Sequence, residues 1–318
     1  MTGVTAGSAG AVAAATRRPP APRGSSRRRA RLRETLTGYA FVGPNLVLLG
    51  LFLLYPLVLA AVLSFSRYTG FGSPEWIGIG NYADLLSDAV FWRALINTTV
   101  FTVATLTLSL GLGLGLAVLL NKALPGRAVF RTIVYAPMVV SGVASGLIGV
   151  LMFDENTGVV DKALIAAGLP PIPWQSNGGA AMVAVILMTV WGRTGFNMVI
   201  YLAGLQGISE ELYEAAELEG ASAWQRFRSI TVPLLGPSTF FLLIMNVIYS
   251  FQVFDLVFVL TGGGPGNATT MLTTYAYANA FTTRAQGYAA AIGMVLLVLM
   301  LGFAAVQWRL NRGRDVTG

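Results

Sequence analysis

Six stretches of this chain are long and apolar enough to cross a lipid bilayer, and nothing else in the sequence constrains its folding as strongly. A hydrocarbon core about 30 Å thick needs roughly 20 apolar residues at about 1.5 Å each. The qualifying stretches run approximately from Tyr39 to Ser66, Thr98 to Leu120, Ile133 to Phe153, Ala180 to Leu205, Ser238 to Leu260 and Ala289 to Trp308. With 55% hydrophobic and only 11% charged residues, the chain lies outside the range of soluble domains. The expected class is all-α, a polytopic membrane protein with six transmembrane helices.

An even number of spans puts both termini on one side, and the basic residues say which. With the termini inside, sixteen of the 21 Lys and Arg fall on the inner side, eight of them between Arg17 and Arg33. Only Arg67, Arg93, Lys162 and Arg284 fall outside, and Arg193 lies within a span. Positive charge collects on the cytoplasmic side, so both termini are expected there, in a multi-pass protein of a bacterial-type inner membrane. This also accounts for the net charge of +7 without a nucleic-acid partner.

Residues 1–36 read as a disordered basic tail, rich in Ala, Pro, Gly, Ser and Arg, with the membrane lipid surface as its natural partner. The apolar run after Tyr39 exceeds 20 residues without a small-residue cleavage site, so it reads as a retained anchor rather than a signal peptide. A six-helix domain is expected over 37–309, including an inner loop at 206–237, followed by a short tail at 310–318.

The chain has no Cys and no His. Thiol nucleophiles, disulfides, the usual zinc ligands and an imidazole base are therefore unavailable, and neither a metal site nor a catalytic residue is expected. No GxxxxGK[ST] phosphate loop occurs. The run from Gly262 to Asn267 lacks its lysine and hydroxyl residue and falls on the outer side. This chain is not expected to be an enzyme or to bind a cofactor.

Two outer segments, Trp76 to Ile96 and Val159 to Leu169, mix aromatic and polar groups as interfacial helices do. Within the spans, Gly111 with Gly115 and Gly142 with Gly146 have the spacing that lets helix backbones approach closely, so both pairs are expected at packing contacts inside the molecule.

The longest polar internal stretch is inner and punctuated. Ser209 can cap a helix whose first turn carries Glu210 and Glu211, where carboxylates meet the positive end of the helix dipole. That helix should run to about Glu219. Gly220 suits a left-handed stop, and Ser222 with Gln225 reads as a capping box opening a second helix that ends before Pro233. The expected object is a two-helix elbow, acidic on its first arm and carrying Arg226 and Arg228 on its second.

This elbow resembles the EAA motif of ATP-binding-cassette importer permeases: EAA, three residues, G, nine residues, I, one residue, a branched apolar residue, and P. Glu214, Ala215, Ala216, Gly220, Ile230, Val232 and Pro233 stand at those positions, with Val232 where leucine is usual. The resemblance covers about Phe41 to Trp308. It extends to GNYADLLSD, FDENTGVVDKAL, the WGRTGFNMVIYLAGLQGISEELYEAAELEGA run and LTGGGPGNATTMLTTYAYANAF, which are similar to carbohydrate-uptake permeases of the maltose and glycerol-phosphate type. It implies a type I importer transmembrane fold, and coupling of this loop to a separate ATPase that holds the ATP and Mg. It also implies a second, different permease in a heterodimer, two ATPase copies and an extracytoplasmic sugar-binding protein.

The resemblance further implies that the sugar path lies partly on the span before the Gly-Gly-Pro turn. The residues there are Tyr249, Ser250, Gln252, Phe254 and Asp255. On an uninterrupted helix Tyr249, Gln252 and Asp255 share a band roughly 120° wide at about 100° per residue, and such a mixture of ring, amide and carboxylate suits a sugar. Asparagines found on this span in maltose-type relatives are replaced by Ser250 and Val253. Arg193 is a further path candidate, with Asn197 one turn on; counted along their spans, Arg193 and Asp255 differ in depth by around 12 Å, which argues against a direct ion pair. The rival reading is an ion-coupled secondary transporter or channel using Arg193 and Asp255, which leaves the elbow without a role.

Overall fold

The computed structural model describes residues 24–122 and 125–312 and falls into two units, one up to Leu57 and one from Val58 on. The first unit is helical. Helix α1, Gly24–Leu49, carries Pro44 in its interior and passes into a wide turn, Gly50–Leu54. The expected tail is thus helical from Gly24, while residues 1–23 lie outside the described part, as do 313–318 at the other end.

The second unit holds the rest. Its spine is α3 (Ala89–Asn121) beside α7 (Gly178–Gln206). Asp88 caps α3 by accepting from Val90 N, and Asn177 caps α7 by accepting from Gly179 N and Ala180 N. Their apolar faces meet in two stacked clusters. One packs Phe101 with Val185, Met188 and Val257, and the other packs Leu110, Ala117 and Leu120 with Met198, Leu202 and Leu205. Residue numbers rise together through both, so the two helices run parallel. Close approach is set by Gly113, where an added Cβ would sit 2.7 Å from Asn197 Cβ. The expected contact at Gly111 and Gly115 is not made, since a Cβ on either meets nothing within 4 Å.

Among the described residues, four helices are long and apolar enough to cross a membrane: Thr37–Ser64, Ala89–Asn121, Gly178–Gln206 and Gln286–Arg309. The third expected span is bent, and the fifth is preceded by a bend at Leu235 and interrupted after Phe251. Arg127–Val139 and Gly142–Met152 form a pair bent by 103°, and Ala223–Leu234 and Gly236–Phe251 a pair bent by 64°. By length and composition the described residues therefore hold four to six candidate spans, depending on whether each bent pair is one crossing.

The bent elements bring the site together. Helix α4 (Arg127–Tyr135) is fastened when Arg131 donates to the carbonyl of Leu120 at the end of α3. Its last turn lies directly on Gly195 of α7, where an added Cβ would meet Val134 O at 2.3 Å. After the break, Ser141 caps α5 (Gly142–Met152) by accepting from Ala144 N. Helix α5 packs on α11 (Asp255–Leu260) as its glycines anticipate: Cβ atoms on Gly142 and Gly146 would sit 2.9 Å from Asp255 Cβ and 2.7 Å from Val259 Cβ. Between them in sequence lies α10 (Gly236–Phe251), held to α3 and α7 by buried polar contacts, Ser250 with Thr105 and Asn246 with Asn197.

The outer segments differ from expectation at their edges. Trp76 belongs to a short antiparallel pair, Ser66–Arg67 with Glu75–Trp76, and stacks on Phe65. The helix expected from Trp76 to Ile96 is only α2, Gly80–Ser87, because Asp88 starts α3 nine residues earlier than the apolar count implies. Helix α6, Val159–Ala166, forms where amphipathicity places it. Asp88 also accepts from the hydroxyls of Tyr275, on α12 (Leu272–Tyr277), and Tyr288, on α13 (Gln286–Arg312), tying three helices together.

Candidate functional site

A cavity of about 320 Å³ opens between the break at Val140–Ser141 and the break that follows Phe251, lined by Met138, Gly142, Thr189, Arg193, Tyr249, Gln252, Phe254 and Asp255, among others. The sequence read Tyr249, Gln252 and Asp255 as one face of a continuous helix. They are not on one. Helix α10 stops at Phe251, Phe254 leaves the helical region at φ −136°, and Asp255 begins α11. The three residues converge because the chain turns here, and the carbonyl of Val253 that the turn frees is taken up by the Thr273 hydroxyl. In lipid such a break persists only where the freed backbone finds partners.

Arg193 also faces this cavity, which the depth argument had separated from Asp255. Counting residues down straight spans fails once the fifth span is interrupted. No carboxylate lies within 4 Å of its guanidinium among the described residues. Instead the cation stacks on Tyr249, 4.2 Å from the ring centroid, and on Phe196 at 5.1 Å. Cation–π contact fixes the plane of the guanidinium without consuming its N–H donors. Its Nε is buried with no partner.

Asp255 holds its carboxylate at the first turn of α11 and against Gly142, the first residue of α5. The Gln252 amide and the Asp255 carboxylate make no side-chain hydrogen bond to the described residues. The cavity therefore presents a cation, an anion, an amide and aromatic faces whose hydrogen-bonding capacity is unspent. Phe254, stacked on Phe258 and tilted against Tyr277, supplies one apolar wall. Two sequence candidates sit elsewhere. Ser250 is buried against Thr105, and Asn197 is fully buried, accepting from Asn246 Nδ2 at 2.9 Å. Met138 and Thr189 line the cavity and were not anticipated; Pro137, next to Met138, was the available signal for a break.

The elbow forms nearly as its residues dictate. Ser209 caps α8 (Glu210–Leu218) by accepting from Glu211 N. Gly220 takes φ +81° and the Ala216 carbonyl accepts from Ala221 N, the bond that closes a left-handed helix stop. Ser222 and Gln225 make the capping box that opens α9, Ala223–Leu234. Pro233 does not end it as expected. The wide turn Phe227–Thr231 just before the proline relieves the clash its ring makes with the preceding turn, so the helix continues to Leu234.

Two links close the elbow, and the sequence pattern did not reveal them. Arg226 pairs with Glu217 across the two arms, and the hydroxyls of Tyr213 and Thr231 meet at 2.9 Å. Glu214 stays exposed without a partner among the described residues, beside a cleft of about 630 Å³ that it shares with Asn121, Gln206, Glu210 and Tyr213. Ala215 is exposed, Ala216 and Ile230 are half-buried, and Pro233 is exposed. Leu218 and Trp224, 90% and 66% exposed, flank Gly220 at the tip.

A bundle of apolar helices interrupted around a polar cavity, with a braced polar elbow outside the bundle, defines a helical membrane permease. The chain belongs to the family described as binding-protein-dependent transport system inner membrane component, whose pattern it matches over residues 109–316. It is 36% identical over 284 residues to the trehalose/maltose transport system permease protein MalF of Thermococcus litoralis, covering 89% of this chain and 96% of that one. To the lactose transport system permease protein LacF of Rhizobium radiobacter it is 36% identical over 286 residues, covering 88% and 95%. Its fold matches a chain in the crystal structure of a bacterial ABC transporter involved in the import of the acidic polysaccharide alginate, with a TM-score of 0.79 and 26% identity, over 92% of this chain and all of that one.

Proposed function

We propose that this chain is the membrane-spanning permease subunit of an ATP-driven importer and forms the path for a sugar or sugar-like solute delivered by an extracytoplasmic binding protein. The observation that carries this reading is the convergence of Arg193, Tyr249, Gln252 and Asp255 on one cavity at the two broken spans. A guanidinium, a carboxylate and an amide lining one cavity can bond sugar hydroxyls while a ring beside them stacks on an apolar sugar face. The trehalose/maltose and lactose permeases among its relatives support a carbohydrate.

The chain performs no hydrolysis in this reading. ATP and Mg belong to two copies of a separate ATPase, and a second permease completes the path. The elbow is the part that ATPase grips. Its arms are cross-braced by Glu217 with Arg226 and by Tyr213 with Thr231, so a displacement at the tip passes to α7 and α10 as a rigid-body movement. The orientation that collects positive charge inside puts the elbow and both termini in the cytoplasm.

The test is to purify the chain with its co-expressed partners, reconstitute it, and measure ATP hydrolysis with maltose, trehalose or lactose presented on the binding protein. An ATPase should travel with the chain, and one of the sugars should stimulate it. Uptake that continues without an ATPase and stops with an uncoupler would favour the ion-coupled alternative and overturn this reading.

A further inference from the structure

A second cavity, of about 280 Å³, lies under the Gly262–Gly266 turn and has no part in the site described above. Its walls include Phe153, Trp174, Gln175, Leu260, Gly264 and Pro265. Both cavities are framed by the same three helices. On α7 the first reaches Met188 and the second Ala184; on α11 they reach Leu256 and Leu260; on α5, Ser145 and Val150. Four or five residues on a helix are about 6–8 Å. The two spaces therefore stand one helical turn apart along a single cleft.

What separates them is one apolar layer. A Cβ on Gly149 would sit 3.0 Å from Leu260 Cδ1 and 3.3 Å from Met188 Cγ, so the leucine and methionine close over a bare stretch of α5. Such a contact holds no hydrogen bond and can part by side-chain rotation.

The outer space has its own chemistry. Among the described residues no charged side chain lines it, in contrast to the Arg193 cavity. The Phe153 and Trp174 rings meet edge to face at 4.8 Å, and the indole is fixed by donating to Asp161 Oδ1 at 2.9 Å. Its rim is also held firmly. Glu155 accepts from Gln175 N, Ser176 N and Ser176 Oγ, while Asn97 Nδ2 donates to the carbonyls of Asn267 and Thr270, pinning the far side of the glycine turn to α3. A rigid pocket with an aromatic floor and no charged lining suits the apolar face of an uncharged sugar ring and gives no counter-charge to an acidic one.

We propose that this pocket is an outer subsite of the transport path, where one neutral sugar ring rests before the Gly149–Met188–Leu260 layer parts and admits it to the Arg193 cavity. The inference rests on the permease reading and names a part of it that can fail separately.

Because this chain has no cysteine, a single thiol placed in it is the only one it carries. In the assembled transporter, Val150→Cys and Gln175→Cys report the outer pocket, Ser145→Cys the Arg193 cavity, and Ile165→Cys the exposed surface of α6. Labelling with a membrane-impermeant maleimide added from outside is followed with maltose, trehalose, lactose or glucuronate on each complex that retains its ATPase. At least one neutral disaccharide should slow labelling of Val150→Cys and Gln175→Cys several-fold, leave Ile165→Cys unchanged, and be more protective than glucuronate. No protection at either outer position by any disaccharide overturns the subsite, as does equal protection by glucuronate. Protection at Ser145→Cys alone overturns the subsite and leaves the permease reading standing. Failure of the permease reading itself shows as absence of sugar-stimulated hydrolysis in the unsubstituted complex.

Discussion

Adding one methyl group at Gly195 should loosen the wall of the cavity, and the structure sets the size of the effect. A Cβ there would lie 2.3 Å from Val134 O, 2.7 Å from Tyr135 Cα and 3.0 Å from Val134 C. All three are backbone atoms, so no side-chain rotation relieves the clash. Restoring a separation of about 3 Å means moving the last turn of α4 by roughly 0.7 Å, and overpacking of this kind costs about 1–3 kcal/mol. That is roughly 5- to 150-fold in an equilibrium constant, at about 1.4 kcal/mol per factor of ten. Gly111→Ala is the matched control, because a Cβ there meets nothing within 4 Å and replacing a helical glycine gains up to about 1 kcal/mol. The assay is the fraction of purified complex that stays monodisperse in detergent after heating. On the scaling of domains of this size, Gly195→Ala should lower the midpoint by roughly 2–12 °C, while Gly111→Ala holds or raises it. A Gly195→Ala complex as heat-resistant as the parent would refute the packing of α4 on α7 and with it the placement of Pro137 and Arg193 around one cavity.

Gly220→Val places a β-branched residue at φ +81°, a cost of roughly 1–2 kcal/mol for left-handed backbone. It and Glu214→Lys should both release the ATPase on co-purification while the chain still reaches the membrane; retention of the ATPase by both would remove the elbow from coupling. At Asp88, partial burial raises the carboxyl pKa, but hydrogen bonds from Tyr275, Tyr288 and the Val90 and Phe91 N–H groups outweigh it and hold the pKa below its ordinary value. The stabilisation is complete above the usual carboxylate range and fades as pH falls through the lowered value. Asp88→Asn should therefore cost about 1 kcal/mol near neutral pH, the charged hydrogen bonds being partly screened by solvent. Heat-resistance curves of Asp88→Asn and parent should converge on acidification; a gap that persists at low pH would refute this account.

Several features of this chain follow from local chemistry alone. The apolar runs demand helices in lipid. Ser209, Gly220 and Ser222 place the ends of the elbow helices through interactions within a few residues of themselves. Gly142 and Gly146 announce a close approach because only a missing side chain permits one, though which element arrives is not written there. At α5 a proline and a serine cap also signal that the third span bends.

The fifth span is the opposite case. Nothing from Tyr249 to Asp255 is a proline or glycine, so the sequence reads as unbroken helix. The break exists because Thr273, some twenty residues away, takes the freed Val253 carbonyl, and because α11 finds the glycine face of α5 to pack on. These are tertiary gains, and no periodicity within the segment reports them. The same holds for the glycines of α3. Gly111 and Gly115 have the better-known spacing, yet Gly113 makes the contact, because the rotation of α3 about its axis is set by what α7 offers opposite it. The sequence by itself determined that the chain is a bundle of membrane helices with a capped polar elbow, since those depend on composition and on neighbours a few residues apart. Only the tertiary structure decided that Arg193 and Asp255 share a cavity and that Asn197 does not, because which atoms face a common space depends on how bent helices meet.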